Sequence, residues 1–172
     1  MFRILGGFMI FGGCMGLGIW YCFRMKGRIR ALGSLGNILG LLAGEVRYGR
    51  ATLPECCGQA ARHLDVPFRE AFSAVSRRME ENRGEAFGEV FREEVGKVLQ
   101  ELPLDALDRE SFMQFTDQTG FMDGQMQLRA IERSMESLHG TKEKLEEENA
   151  QKSKMAVGLG AMGGLLLVLV LW

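Results

Sequence analysis

The sequence predicts an all-α protein in which a cytoplasmic antiparallel helical bundle lies between N- and C-terminal transmembrane helices. Two observations carry this prediction. Long apolar runs occupy both ends of the chain, and between them apolar residues recur at helical spacing of three and four. No run of alternating β-branched residues is present, so we expect no sheet.

The first apolar run, residues 1–23, carries only Arg3 as a charged side chain. Trp20 and Tyr21 lie near its end, where aromatic rings favour the membrane interface. A cleaved signal peptide is the alternative, but such peptides end in small residues rather than bulky ones such as Phe23. Cationic residues follow at once, at Arg24, Lys26, Arg28 and Arg30. These features predict a retained membrane anchor.

The second apolar run, residues 155–172, reads MAVGLGAMGGLLLVLVLW. As a helix it would measure about 27 Å, close to the hydrocarbon thickness of a bilayer. Its GLGAMG stretch fits the dinucleotide pattern G-x-G-x-x-G, which requires a preceding strand and an acidic residue about 20 positions later. No acidic residue follows Gly163, so we expect no cofactor there.

The glycines of both runs have another use. Gly12 and Gly16 are four residues apart, as are Gly160 and Gly164. This spacing puts each pair on one helix face, where a second helix can approach closely. The alternative is that glycine is simply common in membrane helices. We favour packing between membrane helices.

The flanking charges predict the orientation. Arg24 to Arg30 follow the first run, and Lys152 and Lys154 precede the second. Because basic flanks prefer the cytoplasm, we expect residues 24–154 to lie there, with both termini outside. The chain thus divides into a span (1–23), a cytoplasmic helical bundle (24–154) and a second span (155–172).

The middle segment reads as a series of amphipathic helices. The first, about 28–48, has the stripe Leu32, Leu35, Leu39, Leu42 and Val46. Thr52 and Glu55 form a capping box that starts a helix to about Leu64. Helices with faces of Phe68, Phe72, Val75 and Met79, and then Phe87, Val90, Phe91, Val95 and Val98 or Leu99, follow.

Two further helices complete the middle segment. Asp108 is predicted to cap one that carries Phe112 and Phe115 and stops near Gly120. The last is long, and we expect its apolar stripe to fill the core. That stripe comprises Met122, Met126, Ile131, Met135, Leu138 and Leu145, with Gly140 interrupting it at a cost of about 1 kcal/mol.

No residue pattern predicts catalysis. His63 and Cys56 could share a helix face, but two ligands do not make a zinc site. No phosphate-binding loop or nucleophile elbow occurs. The 21 Lys and Arg are balanced by 22 Asp and Glu, which disfavours nucleic acid as a partner. We expect neither metal nor cofactor.

Two stretches carry a resemblance to a known family. EVRYGRATLPE, residues 45–55, and FTDQTGFMDGQMQ, residues 115–127, resemble the stage III sporulation protein AB family of endospore-forming bacteria. The second fits a T-G-x-x-D-x-Q pattern but lacks the usual leucine before its glycine, and residues 80–108 diverge. The basic Arg28 and Arg30 and the overall layout match from end to end.

The resemblance implies a function. It suggests a non-enzymatic scaffold in the mother-cell membrane facing the forespore, similar to the platform protein of type II secretion systems. Its partners would be a cytoplasmic secretion-type ATPase and other membrane subunits of a channel-like complex. We expect Arg47, Tyr48 and Arg50 to bind the partner, with helix closure as the alternative role of Tyr48. The competing function is a membrane-bound hydrolase or regulator with an unrecognised site.

Overall fold

The computed structural model describes the backbone of residues 2–49, 51–81, 84–118 and 124–171. Side chains are described for residues 23–48, 51–81, 84–117 and 124–151. All regular structure in these ranges is helical, which confirms the predicted all-α class. In chain order the elements are α1 (Phe2–Gly49), α2 (Leu53–Ala61), α3 (Phe68–Glu80), α4 (Phe87–Glu101), α5 (Ala106–Met113), a 3-10 helix (Gln114–Gln118) and α6 (Gly124–Leu171).

The first helix is longer than the sequence predicts. α1 is one continuous helix, with no break between the predicted span and the helix expected from about residue 28. Between these segments the chain has neither a proline nor a capping residue, and a single Gly27 weakens a helix without ending it. The last helix, α6, is long as predicted and continues through Gly140, which interrupts its apolar stripe and not the helix.

Two compact units divide the chain. One, here called the core unit, spans Arg30–Lys142; the other comprises Met1–Ile29 and Glu143–Trp172. The second unit contains the segments in which both predicted spans lie. In the core unit the predicted stripe of α1 is confirmed as buried at Leu32, Leu35, Leu39 and Leu42.

A cluster of five phenylalanines forms the centre of the core unit. The Phe91 ring of α4 lies 5.2 to 6.3 Å, between ring centroids, from the rings of Phe72, Phe87, Phe112 and Phe115. Several pairs meet edge to face, the geometry that aromatic quadrupoles favour. The cluster therefore ties together α3, α4, α5 and the 3-10 helix.

The sequence predicts the residues that cap the N-terminal ends of α2 and α5. The structure confirms the cap of α2 and places a different residue at the cap of α5. The Thr52 backbone N–H donates to Glu55 Oε2 at 2.8 Å, which confirms the capping box of α2. For α5 the predicted cap is wrong. Asp105 is the N-cap, and its backbone N–H donates to Asp108 Oδ2 at 3.1 Å. Two acids three positions apart can each cap a helix, and here the earlier one has the extended backbone that capping requires.

The C-terminal end of α5 also differs from the prediction. The helix stops at Met113 and tightens into the 3-10 helix, instead of continuing towards Gly120. The Thr116 hydroxyl donates to the Met113 carbonyl oxygen at 2.7 Å and satisfies one acceptor at this junction. Gly120 itself lies outside the described residues.

An ion-pair cluster joins α3 to α4. The Arg78 guanidinium donates to Glu93 at 2.9 Å, to Glu94 at 2.6 Å and to Glu85 at 3.0 and 3.1 Å. Lys97 lies 3.5 Å from Glu94 and 3.7 Å from Glu93. These charge-assisted bonds raise the pKa of Arg78, chiefly through the bond to Glu85.

Candidate functional site

The predicted partner-binding residues lie at the end of α1. Tyr48 is 83% exposed, so it does not close α1 against the core unit. Beside it, Arg47 Nη2 donates to Glu132 Oε1 of α6 at 2.8 Å, with both side chains about half exposed. Arg50 lies outside the described residues. The structure thus presents an aromatic ring and a guanidinium to solvent at one helix end.

A groove of about 470 Å³ adjoins this helix end. Its walls come from the last turn of α1, the loop before α2 and the start of α2, the end of α3, the first residue of α4 and the first turn of α6. The lining residues are mainly apolar: Val46, Ala51, Leu53, Pro54, Met79 and Phe87. We call it the corner groove. Sequence reasoning did not find it, because its walls come from segments distant in the chain.

The start of α6 corrects one prediction. Met126, expected in the core stripe, is 53% exposed. Arg129 and Arg133 are also exposed, and with Met126 they recur at i, i+3 and i+7. This spacing puts all three on one helix face. The i, i+3, i+7 spacing of Met126, Arg129 and Arg133 is visible in the sequence and indicates an exposed face. The apolar residues Ile131, Met135 and Leu138, which follow Met126, indicate instead that it belongs to the core stripe.

Two polar side chains that could take part in chemistry, Asp117 and His63, lie at the surface. Asp117 forms an ion pair with Arg92, which links the 3-10 helix to α4. His63 is exposed in the turn after α2. Asp123 lies outside the described residues. Within the described ranges, no group of three or more His, Cys, Asp or Glu side chains could hold a metal ion.

Cys56 and Cys57 are buried free thiols. Burial, with smaller contributions from Glu45 and Glu55, raises the pKa of Cys56 to about 11. Burial also raises the pKa of Cys57 well above its usual range. Because the thiolate is the nucleophile, both side chains are protonated and unreactive in the folded protein near neutral pH.

The glycine pairs predicted for membrane-helix packing lie in α1 and α6. Gly12 and Gly16, and Gly160 and Gly164, fall in segments for which the structure describes no side-chain packing. Among the residues whose side chains are described, one helical stretch, Phe23–Tyr48, is long and apolar enough to cross a membrane. A third of its apolar window is buried. A core helix of a soluble protein passes the same test, so this stretch supports membrane association only weakly.

The core unit is all-helical within the described residues, and Arg47 and Tyr48 are exposed at the end of α1. The model of the stage III sporulation protein AB family matches residues 3–172, and the chain belongs to that family. A solved structure described as stage III sporulation protein AB (SpoIIIAB) has a similar fold. It is 24% identical, with a TM-score of 0.61 over 72% of this chain and 97% of that chain. No match was found among curated proteins.

The family and the apolar N-terminal helix together suggest membrane association. The predicted spans, 1–23 and 155–172, fall in the helical parts of α1 and α6 beyond the described side chains.

Proposed function

We propose that the protein is a non-catalytic membrane platform in the channel-like complex of sporulation, where it docks a cytoplasmic secretion-type ATPase. The observation that carries the proposal is the family match over residues 3–172. The exposed corner at Arg47 and Tyr48 supports it, because exposed aromatic and arginine side chains are enriched at protein interfaces.

The proposed arrangement is an antiparallel bundle anchored by two spans, with residues 24–154 in the cytoplasm and both termini outside. The spans pack against each other or against other membrane subunits through Gly12, Gly16, Gly160 and Gly164. A rigid helical unit held at both ends by the membrane can resist or transmit force from a nucleotide-driven partner. Its own residues need supply only contact surface.

The direct test is binding. The full-length chain, purified in detergent, is immobilised and exposed to the purified secretion-type ATPase of the same sporulation complex. We expect capture of the ATPase and no nucleotide hydrolysis by the chain alone. If the chain captures no ATPase at all of the salt concentrations tested, the proposal is contradicted.

A genetic test separates the platform from a hydrolase. The variants are His63→Ala, Asp117→Ala and Asp123→Ala, introduced singly into sporulating cells. A platform keeps its function in the His63 variant, because that side chain is exposed in the turn after α2. Loss of sporulation in a variant that retains its fold and its ATPase capture favours the hydrolase or regulator.

The topology needs a reporter other than the native thiols, since Cys56 and Cys57 are buried. Ser73 is exposed on α3 and suits a single-cysteine variant, Ser73→Cys, in a chain without Cys14, Cys22, Cys56 and Cys57. We expect a membrane-impermeant thiol reagent to label it only after the cells are permeabilised. Labelling in intact cells reverses the proposed orientation.

A further inference from the structure

The exposed side of α1 in the core unit is uncharged. Residues 31–44 contain no charged side chain. Within this range Ser34 and Asn37 are exposed, Leu41 is 39% exposed and Gly44 is partly exposed. We call these four residues the outer face of α1. By contrast, the exposed side of α3 carries four charged residues over a similar length: Arg69, Glu70, Arg77 and Glu80.

The outer face has the spacing of a surface on which two helices pack. Its residues are three, four and three positions apart, the repeat that keeps one helix in contact with another. On the opposite side of α1, Leu35, Leu39 and Leu42 are buried in the core unit. One side of α1 therefore packs within its own chain, and a second, regularly spaced side faces solvent.

Gly44 has no packing role among the described residues. Outside the surrounding turns of α1, none of them has an atom within 4 Å of a Cβ built at Gly44. Glycine weakens a helix interior relative to alanine, and no described contact offsets that loss here. A glycine on an exposed helix face does allow the backbone of a second helix to approach closely.

We propose that two copies of the chain in one membrane pair through the outer face of α1, as a parallel two-fold dimer. The parallel direction rests on the proposed topology, in which both copies enter the cytoplasm from the same membrane. The helices cross at Asn37 and Leu41 and diverge from there, because packed helices meet at an angle. This divergence leaves Tyr48 accessible to the ATPase.

Pairing with a second copy accounts for the residue types of the outer face. A two-fold contact places each residue near the axis against its own copy. A charged residue there would repel its copy, whereas the Asn37 amide both donates and accepts hydrogen bonds and can pair with the second Asn37. Ser34 and Gly44 are small enough for close approach. A different partner protein would not require a face without charge.

The membrane anchors of the proposed topology favour the dimer. From Ser34 to Gly44 the contact is about 15 Å long. It involves four residues a side, against about 20 to 30 a side in a standard stable interface. Two chains held in one membrane meet at a raised effective concentration, which compensates for a short contact. The dimer is therefore expected in a bilayer.

The test is disulfide crosslinking of the full-length chain, purified and reconstituted into phosphatidylcholine vesicles. Cys14→Ala and Cys22→Ala remove the thiols of the first predicted span. Cys56 and Cys57 remain because they are buried, and this chain without an added cysteine gives the background. A cysteine added at the surface reports contact, because a disulfide requires two Cα atoms within about 7 Å. Copper phenanthroline is the oxidant, and dimers are measured on non-reducing gels.

Two added cysteines probe the outer face, and a third is the matched control. Ser34→Cys and Leu41→Cys lie on the face, whereas Ser73→Cys lies on the exposed side of α3. We expect each probe to crosslink to its own copy at least tenfold faster than the control. Equal rates for probes and control overturn the inference. So does a mixture in which Ser34→Cys crosslinks only to Gly44→Cys, since that marks an antiparallel pair.

An added charge tests the same contact without a cysteine at its centre. In the Ser34→Cys chain, Leu41→Glu places a carboxylate against its copy, and the crosslinking rate should fall at least tenfold. Leu107→Glu adds the same charge at a side chain that is 80% exposed on α5, and the rate should not change. An unchanged rate in Leu41→Glu overturns the inference. If Leu41→Glu lowers the melting temperature, Asn37→Glu, at an exposed position, replaces it.

The failure of this inference and that of the proposed function are distinguishable. Oxidation in sporulating cells that joins Leu41→Cys to another protein, in place of the dimer, assigns the outer face to that protein and overturns the inference. Capture of the secretion-type ATPase is measured separately. A chain that captures the ATPase but does not crosslink to its copy overturns the dimer alone. A chain that crosslinks but captures no ATPase overturns the proposed function alone.

Discussion

A Cβ atom at Gly88 would lie 2.9 Å from the backbone carbonyl oxygen of Thr116. This close approach joins the first turn of α4 to the 3-10 helix. Real Cβ contacts are essentially never so short, and the atom it would meet is backbone, which cannot swing aside. Glycine at position 88 is therefore required by packing, although its helical backbone would accept any residue.

Gly88→Ala should accordingly destabilise the protein. Overpacking of this kind costs about 1 to 3 kcal/mol, because the backbone of one element must shift. The measurement is the urea unfolding midpoint of a fragment spanning residues 24–154, which we expect to fold alone as a helical domain. If the midpoint of Gly88→Ala equals that of the parent, the 3-10 helix moves away from the added methyl group without loss of stability, and the prediction is wrong.

Gly36→Ala is the matched comparison and should have the opposite sign. No side chain or distant backbone lies within 4 Å of a Cβ built at Gly36, which borders a cavity of about 360 Å³ next to Met135 and Leu138. Alanine stabilises a helix interior over glycine by about 0.5 to 1 kcal/mol. Destabilisation by Gly36→Ala shows that α1 and α6 pack more closely in solution.

Phe91 should dominate the stability of the core unit. Its ring contacts four other phenylalanine rings and is fully buried. Phe91→Ala leaves a cavity and should cost about 3 to 5 kcal/mol. Leu107→Ala is the control, since Leu107 is 80% exposed and its removal should cost little. Similar urea unfolding midpoints for the two variants would contradict the claim that Phe91 dominates the stability of the core unit.

Arg78 should matter for stability although it lies near the surface. Arg78→Ala leaves Glu85, Glu93 and Glu94 close together with Lys97 as the nearby cation. We expect a lower melting temperature, with the difference narrowing in high salt because screening weakens the repulsion. Arg77→Ala, which removes an exposed neighbour without an ion pair in the described part of the chain, should melt like the parent.

The same cluster predicts an acid dependence. The hydrogen bond from Arg78, with its charge, holds the pKa of Glu93 below the ordinary value of 4.5. A lowered carboxyl pKa gives stability that is complete above the unfolded-state value and lost as pH falls through the folded-state value. Between about pH 5 and pH 3 the parent should therefore lose more stability than Arg78→Ala. If the free energy of unfolding of the two proteins changes equally with pH, the lowered pKa of Glu93 does not contribute to the acid dependence.

Local patterns in the sequence predict much of this fold. The leucine stripe of α1 and the Thr52–Glu55 capping box depend on residues within two turns of one another, and both predictions are confirmed. Its place next to a turn makes Tyr48 a candidate surface residue, and it is exposed. The predictions of Asp108 as the cap of α5 and of Met126 as a core residue are wrong, because Asp105 lies three positions before Asp108 and Ile131 and Leu138 follow Met126 at helical spacing.

Features that depend on tertiary contacts could not be predicted. The corner groove combines residues from five helices, and the Arg78 cluster joins acids that any of several arginines could have met. Gly88 looks like an ordinary helical glycine until Thr116 is placed against it. In each case the sequence specifies the residue, and only the packing of distant segments specifies its neighbour.

The most direct test of the proposed platform is photo-crosslinking in sporulating cells. A photoreactive phenylalanine derivative replaces Tyr48 in the full-length chain, and a second strain carries it at the exposed Gln100 of α4. We expect position 48, and not position 100, to crosslink to the secretion-type ATPase. Crosslinking to the ATPase from position 100 alone, or from neither position, would contradict docking at the α1 corner.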